Sequence, residues 1–332
     1  MCGESGGVEW LLLPAILFLA LVFDFINGFH DTANAVATSL ATGALTPRRA
    51  IMLAAAMNFL GALFFSGVAL AVAEGVCDPA AQHPGAVAAA LLAAITWNLL
   101  TWFWGLPSSS SHALVGALAG AALASSGPAA VNAEGLARIL RSLALSPLLA
   151  AGTGFAVMKA LGRPGPSLYP AFKSWQRLAA ALQAFSHGTN DAQKTAGVIT
   201  LALFQAGYLE ALAVPLWVKL LAALAMGLGT SCGGWRIIRT VGKGITRLDP
   251  PTGFASDLSA GLVILGATLW GLPVSSTHVV SSAVTGAGLA RGRGRVNRDT
   301  VARMALAWAL TLPACAALGA LWFLAVNAYH RG

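Results

Sequence analysis

Two ten-residue segments decide the fold of this chain: INGFHDTANA at residues 26–35 and SHGTNDAQKT at residues 186–195. Each places an aspartate three residues after a glycine, inside an otherwise apolar stretch, and the two aspartates are 160 positions apart. The matching residues are polar, so a chance likeness between Leu- and Ala-rich helices does not explain the match. The pair indicates that the chain contains an internal duplication.

A second repeated pair occurs in the same order along the chain. WGLPSSSSH at residues 104–112 corresponds to WGLPVSSTH at residues 270–278, at a spacing of 166 positions. A segment rich in Gly and Pro separates the copies, as expected of a linker. We therefore predict a first repeat at residues 1–161, a linker at 162–171 and a second repeat at 172–332.

The composition assigns the chain to membrane proteins. Of its 332 residues, 57% are hydrophobic and only 10% are charged, against about 25% charged residues in a soluble domain. Four stretches, at 50–73, 79–133, 258–290 and 304–330, lack Asp, Glu, Lys and Arg, and a spanning helix needs about 20 apolar residues. These features exclude a soluble globular or disordered protein and predict an all-α polytopic membrane protein.

Ten hydrophobic elements are predicted, and the basic residues between them orient the chain. The elements lie near residues 8–41, 48–74, 85–105, 109–125, 134–160, 174–206, 213–236, 252–270, 275–290 and 300–328. Groups of Lys and Arg at 48–49, 159–177, 236–247 and 291–303 mark the cytoplasmic face, because cytoplasmic loops carry excess basic charge. Both termini are then outside, and the chain is a multi-pass protein of the cell (inner) membrane.

This arrangement orients the two halves in opposite directions. Inverted-topology repeats with broken helices are typical of secondary transporters. The third and fourth elements, like the eighth and ninth, are either re-entrant hairpins, which we favour, or full spans. The net charge of +8 reports this topology and no nucleic-acid partner, and the four cysteines have no paired spacing, so neither a disulfide nor a resident metal is predicted.

The repeated aspartates form the first predicted site, which binds a cation. A charge at bilayer depth costs about 2.5–3.5 kcal/mol and needs an internal partner. The repeated glycines are expected to unwind their helices and expose carbonyl oxygens, and nearby asparagines add amide oxygens, a ligand set for a hard cation or a proton. The predicted ligands are Gly28, Asp31, Asn34, Gly188, Asn190 and Asp191. The alternative is that the aspartates only hydrogen-bond between helices.

The repeated Pro-Ser loops form the second predicted site, which binds an anion. A proline followed by hydroxyl residues predicts a helix end and then the N-cap of another helix, whose free N–H groups and dipole attract an oxyanion. The alternative is plain helix capping. The predicted anion ligands are Ser108, Ser109, Ser110, Ser111, Ser275, Ser276, Thr277 and Lys194, the last of which either contacts the anion or pairs with Asp191.

Several other polar residues have roles that the sequence leaves open. His30 and His187 are candidates to carry protons, or are neutral hydrogen-bonded histidines. His112 and His278 are either further donors or packed helix residues. Asp24 has no counterpart, because Ala184 occupies the matching position, so its role is open between contact with the cytoplasm and pairing of helices.

These residues resemble the inorganic phosphate transporter (PiT) family, whose signature is a GxNDxxN-type motif in each half. Residues 188–194 fit the second copy, and residues 28–35 fit the first except that His30 replaces Asn. The run FINGFHDTANAVAT resembles the bacterial low-affinity branch. The resemblance implies a symporter that imports inorganic phosphate, alone or with Mg²⁺ or another divalent metal, coupled to H⁺ or Na⁺ by alternating access.

By the same resemblance, Asp31 and Asp191 bind the coupling cation and the loop serines hold phosphate, and His30 favours protons. No resident cofactor is expected, and the family suggests a homodimer in the lipid bilayer. The nearest alternative is a permease for sulfate or another oxyanion. An enzyme or a passive channel suits the chain less, because its serines and histidines recur symmetrically in both halves.

Overall fold

The computed structural model describes residues 6–234, 237–238 and 240–331, and most of these residues are helical. No β-strand occurs among these residues, and a short π-helix covers Thr240–Gly244. The α-helices of the described chain are α1 (Gly6–Ala41), α2 (Pro47–Leu63), α3 (Gly67–Gly75), α4 (Pro84–Phe103), α5 (Ser110–Ser126), α6 (Ala133–Leu161), α7 (Tyr169–Gln205), α8 (Leu216–Cys232), α9 (Pro250–Leu269), α10 (Ser276–Arg291) and α11 (Arg298–Arg331). The all-α prediction is confirmed.

The ten predicted elements correspond to these helices with one difference. The second element is divided into α2 and α3, whose axes differ by 70° across residues 64–66, and Phe65 there has a φ of 57°. The helix α7 begins at Tyr169 and so includes the last three residues of the predicted linker. Arg236 and Arg239, two of the basic residues that orient the chain, lie outside the described residues.

The predicted unwinding at Gly28 and Gly188 is wrong. Both glycines lie inside continuous helices, α1 and α7. A Cβ added to Gly28 would lie 2.4 Å from the backbone oxygen of Met226, and one added to Gly188 would lie 2.2 Å from that of Asn58. The glycines therefore let neighbouring helices approach closely, as small residues do in membrane proteins.

Five helices of the described chain are long and apolar enough to cross a membrane, namely α1, α4, α6, α9 and α11. The bent pair of α2 and α3 makes a sixth, and α8 is a shorter apolar helix. The surface of the bundle is apolar as well: Phe18, Leu148 and Leu178 are 67–72% exposed. Polar groups lie inside and apolar ones outside, so the chain is a multi-pass membrane protein.

Contacts between helices occur in matched pairs. The helix α1 packs against α4 and α8, while α7 packs against α9 and α2. Likewise α5 packs against α11, and α10 packs against α6. Each of these contacts thus has a counterpart in the other predicted repeat, which agrees with a duplication. The repeat boundaries and their orientation in the bilayer stay predictions.

Candidate functional site

The helices α9 and α10 pack on each other as a helical hairpin, and Asp31 of α1 and Asp191 of α7 both contact the tip of this hairpin. Both side chains are fully buried. The Ser276 hydroxyl, in the first turn of α10, donates to Asp191 Oδ2 at 2.6 Å and lies 3.3 Å from Asp31 Oδ2. The Thr277 hydroxyl donates to Asp31 Oδ1 at 3.3 Å. The predicted cation and anion sites are therefore contiguous.

Lys194 pairs with Asp191, as one of the two predicted alternatives requires. Its ammonium group also donates to the Val274 carbonyl oxygen at 2.8 Å. Val274 precedes the N-cap of α10, so the lysine links α7 to the loop before that helix. The ammonium group is buried beside the hairpin tip, where an anion at the N-terminus of α10 would meet it.

Two histidines complete the surroundings of the aspartates. His187 Nε2 lies 2.7 Å from Asp191 Oδ2 and 3.7 Å from Asp31 Oδ2. His30 Nδ1 lies 2.8 Å from Asp31 Oδ1. The aspartates and His187 offer ligand atoms that all lie within 4.8 Å of one another. Two carboxylates and an imidazole at this spacing can hold a proton or a divalent metal.

The two Pro-Ser loops cap helices, as the sequence predicts. The Ser109 hydroxyl accepts from the His112 backbone N–H at 3.1 Å, and the Ser275 hydroxyl accepts from the His278 backbone N–H at 3.2 Å. The loops also touch, since the Ser111 hydroxyl donates to the Val274 carbonyl oxygen at 2.9 Å. The N-termini of α5 and α10 therefore converge at the centre.

The remaining loop serines differ in their contacts. Ser108 donates to the Thr101 hydroxyl at 2.8 Å, and Thr101 lies 3.4 Å from His30 Nε2. Ser110 is buried in the first turn of α5. Among the contacts described, Ser108 is therefore linked to Asp31 through Thr101 and His30.

The two predicted asparagine ligands are used differently. Asn190 donates to Leu272 O at 3.1 Å, and its Oδ1 accepts from Val274 N–H at 3.1 Å, so its amide holds the loop before α10. Asn34 donates to the Thr277 hydroxyl at 2.9 Å, while its Oδ1 has no hydrogen bond within the described part of the chain. Asn34 therefore keeps an oxygen free for a cation, and Asn190 does not.

The rings of His112 and His278 pack against each other, and His112 Nδ1 lies 2.7 Å from the Ser109 hydroxyl oxygen. Their rings lie 4.5 Å apart, and His278 stacks on Trp308 at 4.0 Å. The Trp308 indole N–H donates to the Pro107 carbonyl oxygen at 3.0 Å. Among the contacts described, neither ring reaches Asp31 or Asp191, which favours the packing alternative.

Sequence reasoning missed a polar support behind His187. Its Nδ1 lies 3.1 Å from Asn58 Oδ1, and the Asn58 amide donates to the Thr230 hydroxyl at 3.0 Å. Asn58 and Thr230 belong to α2 and α8, the helices that pack against α7 and α1. A lone Asn in the apolar run of α2 is the sequence signal that could have found this support.

Asp257 of α9 was missed as well. Its carboxylate is fully buried and accepts from Thr38 Oγ1 at 2.5 Å and Gln176 Nε2 at 3.0 Å. Thr38 lies two helical turns beyond Asp31 on the same face of α1. A second polar cluster therefore continues from the central site toward the C-terminal end of α1.

Paired aspartates, a lysine and two converging helix N-termini, all buried in a helical membrane bundle, define a transporter of a small charged solute. This chain belongs to the phosphate transporter family, whose family model matches residues 27–164 and again 162–319. The family predicted from the repeated motifs is confirmed, and so is the prediction that the protein is a transporter and not an enzyme.

Similar proteins cover nearly the whole chain. A protein of Bacillus subtilis (strain 168) described as a probable low-affinity inorganic phosphate transporter is 49% identical over 325 residues, which are 96% of this chain and 98% of that protein. One of Rhizobium meliloti (strain 1021) with the same description is 40% identical over 95% of this chain and 97% of its own. A solved structure titled "The sodium-dependent phosphate transporter" superposes with a TM-score of 0.86 at 27% identity, over 96% of this chain and 99% of that one.

Proposed function

We propose that this chain imports inorganic phosphate by cation-coupled symport. The observation that carries the proposal is the convergence of the α10 N-terminus on both buried aspartates, beside Lys194. Membership of the phosphate transporter family supports the substrate, and the similar structure titled as a sodium-dependent phosphate transporter supports a coupling cation.

Phosphate binds at the N-termini of α5 and α10 in this proposal. Free backbone N–H groups and the positive ends of the two helix dipoles favour an oxyanion there, and Ser276, Thr277 and Lys194 supply further donors. Ser109 and Ser275 act mainly as caps, because their hydroxyls accept from the first turn of each helix.

The hydrogen bonds of Ser276 and Thr277 offer a mechanism for coupling. Each hydroxyl has one proton to donate, and both protons point to carboxylates in this structure. A cation that binds Asp31 and Asp191 weakens those bonds and frees the hydroxyls to donate to phosphate. Phosphate without the cation would have to compete with two buried carboxylates, so both solutes bind together.

Membrane energetics make the cation necessary for uptake. Phosphate carries one to two negative charges, and an inside-negative potential opposes each by about 2.3 kcal/mol per 100 mV. Co-transported H⁺ or Na⁺ offsets that cost. A divalent metal bound between Asp31, His187 and Asp191 would do the same and travel with phosphate as cargo.

Phosphate suits the central site better than sulfate does. A protonated phosphate oxygen can donate to a buried carboxylate, whereas sulfate near neutral pH has no proton to give. Asp31 and Asp191 are acceptors of that kind. Sulfate cannot make this hydrogen bond, which is worth about 1.5–3 kcal/mol when one partner is charged.

Alternating access follows from the duplicated architecture that we propose. Residues 1–161 and 172–332 move against each other around the aspartates, with both termini outside the cell membrane and two chains forming a homodimer. Since α5 and α10 are 17 and 16 residues long, each spans only about 24–26 Å, which supports re-entrant hairpins over full spans.

Uptake of labelled phosphate into proteoliposomes tests the function. Proton, sodium and magnesium gradients are imposed one at a time, with unlabelled sulfate as competitor. We expect accumulation above equilibrium with at least one cation gradient and no effect of equimolar sulfate. Accumulation of labelled sulfate, or phosphate that never exceeds equilibrium, would contradict the proposal.

A further inference from the structure

Four buried polar side chains lie near the middle of α1, and two of them have no partner. Both amide atoms of Asn27 and of Asn98 make no hydrogen bond within the described chain, and the Thr195 hydroxyl is the hydrogen-bond partner of the Asp24 carboxylate. Each side chain is 0–1% exposed. Of the two roles that the sequence leaves open for Asp24, burial at this level favours pairing of helices over contact with the cytoplasm. We call these four residues the Asp24 cluster.

Asp24 lies on the same face of α1 as the central site. It precedes Asp31 by seven residues, which is two helical turns and about 10 Å along the axis. Asn27 follows it by one turn. On α7, Thr195 lies one turn beyond Asp191, and the Asp24 carboxylate faces its side chain. The cluster is therefore a neighbour of the central site and distinct from it.

Asn98 reaches the same level from α4. The start of α4, at His83 and Pro84, lines one cavity with Leu12 and Ile16 of α1, and Thr101 contacts His30 further along. The two helices thus run side by side in the same direction. One turn before that contact lie Asn98 on α4 and Asn27 on α1, so both amides lie at one height beside Asp24.

The unpaired atoms require an occupant. Each buried polar group without a partner costs about 1–3 kcal/mol, and a charged group costs more. Among the described ion pairs none involves Asp24, and Lys194 is engaged by Asp191. A proton on Asp24 would leave the oxygens of both amides unpaired, whereas a metal cation can bind oxygens of all four residues at once.

We propose that Asp24, Asn27, Asn98 and Thr195 form a second cation site for a sodium-sized monovalent ion. One carboxylate, two amide oxygens and a hydroxyl are hard oxygen ligands that can replace much of the water shell of such an ion. Magnesium fits less well, because it gives up its water reluctantly and usually binds beside phosphate or several carboxylates.

The proposal rests on the proposed function in treating the ion as a coupling cation, but binding is measurable without phosphate. The full-length chain in lipid nanodiscs is titrated with ²²Na⁺ alone. We expect Asp24→Asn to bind one sodium ion fewer per chain than the wild type, and Thr195→Val to bind that ion about tenfold more weakly. Thr200→Val is the matched control, since its buried hydroxyl already donates to the Ala196 carbonyl oxygen within α7.

The outcomes are distinct. Sodium binding that is the same in Asp24→Asn and Thr195→Val as in the wild type overturns the site, as does an equal loss in Thr200→Val. Absence of sodium binding in the wild type, with a changed pH profile of uptake in Asp24→Asn, assigns a proton to Asp24 and also overturns it. If Asp24→Asn does not fold, the isosteric Thr195→Val carries the test. A wild type that takes up no phosphate contradicts the proposed function and leaves sodium binding unaffected.

Discussion

Asp31 and Asp191 occupy matching positions of the duplicated motif, yet their surroundings differ. Asp191 is compensated by the Lys194 ammonium group and lies beside His187. Asp31 has His30 and the Thr277 hydroxyl, and no ammonium partner among the described ion pairs. In the proposed symport, a cation from solution would therefore gain more at Asp31, while the Asp191–Lys194 pair would face the anion.

Removal of either charge should abolish driven uptake. We expect Asp31→Asn and Asp191→Asn each to lower the initial rate of cation-driven phosphate uptake about a hundredfold, which corresponds to about 3 kcal/mol for a charged ligand. Uptake in proteoliposomes measures the change. Asp78 is an exposed aspartate outside the site, so the control variant Asp78→Asn should transport normally. Near-normal accumulation of phosphate by both Asp31→Asn and Asp191→Asn would contradict a role of these aspartates in coupling.

The Asp191–Lys194 pair makes a prediction about stability. Lys194→Gln leaves a buried carboxylate without its partner, at a cost of about 3–5 kcal/mol. We expect the double variant Asp191→Asn, Lys194→Gln to unfold at a higher temperature than Lys194→Gln alone, because it buries no unpaired charge. Thermal melts of the wild type, both single variants and the double variant give the double-mutant cycle. If the double variant loses the sum of the two single losses in melting temperature, the two side chains do not form a direct pair.

At the residue scale, repetition decided what the sequence could reveal. Asp31, Asp191 and the loop hydroxyls occur twice, and the structure brings them together. Asn58 and Asp257 occur once, so no internal match marked them. The sequence could not predict that the Asn190 amide hydrogen-bonds to the loop before α10, because the Leu272 carbonyl oxygen that it contacts is 82 residues away.

The positions of the helices could be predicted from the sequence because local residues determine where most of them begin and end. Uncharged runs set the lengths, Pro47 begins α2, and Ser109 and Ser275 cap α5 and α10. The break between α2 and α3 has a distant cause. Gln193 of α7 accepts from the backbone N–H groups of Val68 and Ala69 at 3.0 and 3.3 Å, so the cap of α3 comes from another helix and leaves no local pattern.

Close helix contacts at the motif glycines make the next prediction. A Cβ at Gly188 would lie 2.2 Å from the backbone of α2, and backbone atoms cannot move aside as a side chain can. We expect Gly188→Ala to lower the free energy of unfolding by about 1–3 kcal/mol and to reduce uptake. Chemical denaturation and transport assays check both effects.

Gly152 of α6 provides the control for that substitution. It lies within a helix and a Cβ there would meet nothing within 4 Å, so Gly152→Ala should be neutral or stabilising by up to about 1 kcal/mol. Equal effects of the two substitutions would mean that helix propensity, and not contact between helices, explains the glycine at position 188.

For the whole molecule, surface and interior carry opposite charge. The chain has a net charge of +8. Its described buried residues nevertheless include four aspartates and one lysine, namely Asp24, Asp31, Asp191, Asp257 and Lys194. The surplus of Lys and Arg over Asp and Glu therefore lies outside the buried interior. An interior with more carboxylates than ammonium groups attracts cations, as the proposed symport requires.

That charge balance predicts how uptake depends on membrane voltage. If cations outnumber the phosphate charge in the loaded site, an inside-negative potential speeds entry, and 100 mV adds about 2.3 kcal/mol, or about fiftyfold in accumulation, per net positive charge. Potassium-loaded proteoliposomes with valinomycin set the potential while the cation gradient is held constant. We expect initial uptake to rise as the interior becomes more negative. A passive anion channel would give the opposite sign, because phosphate entering alone is repelled by the same potential, so slower uptake at a more negative interior would contradict a symporter whose loaded site is positive.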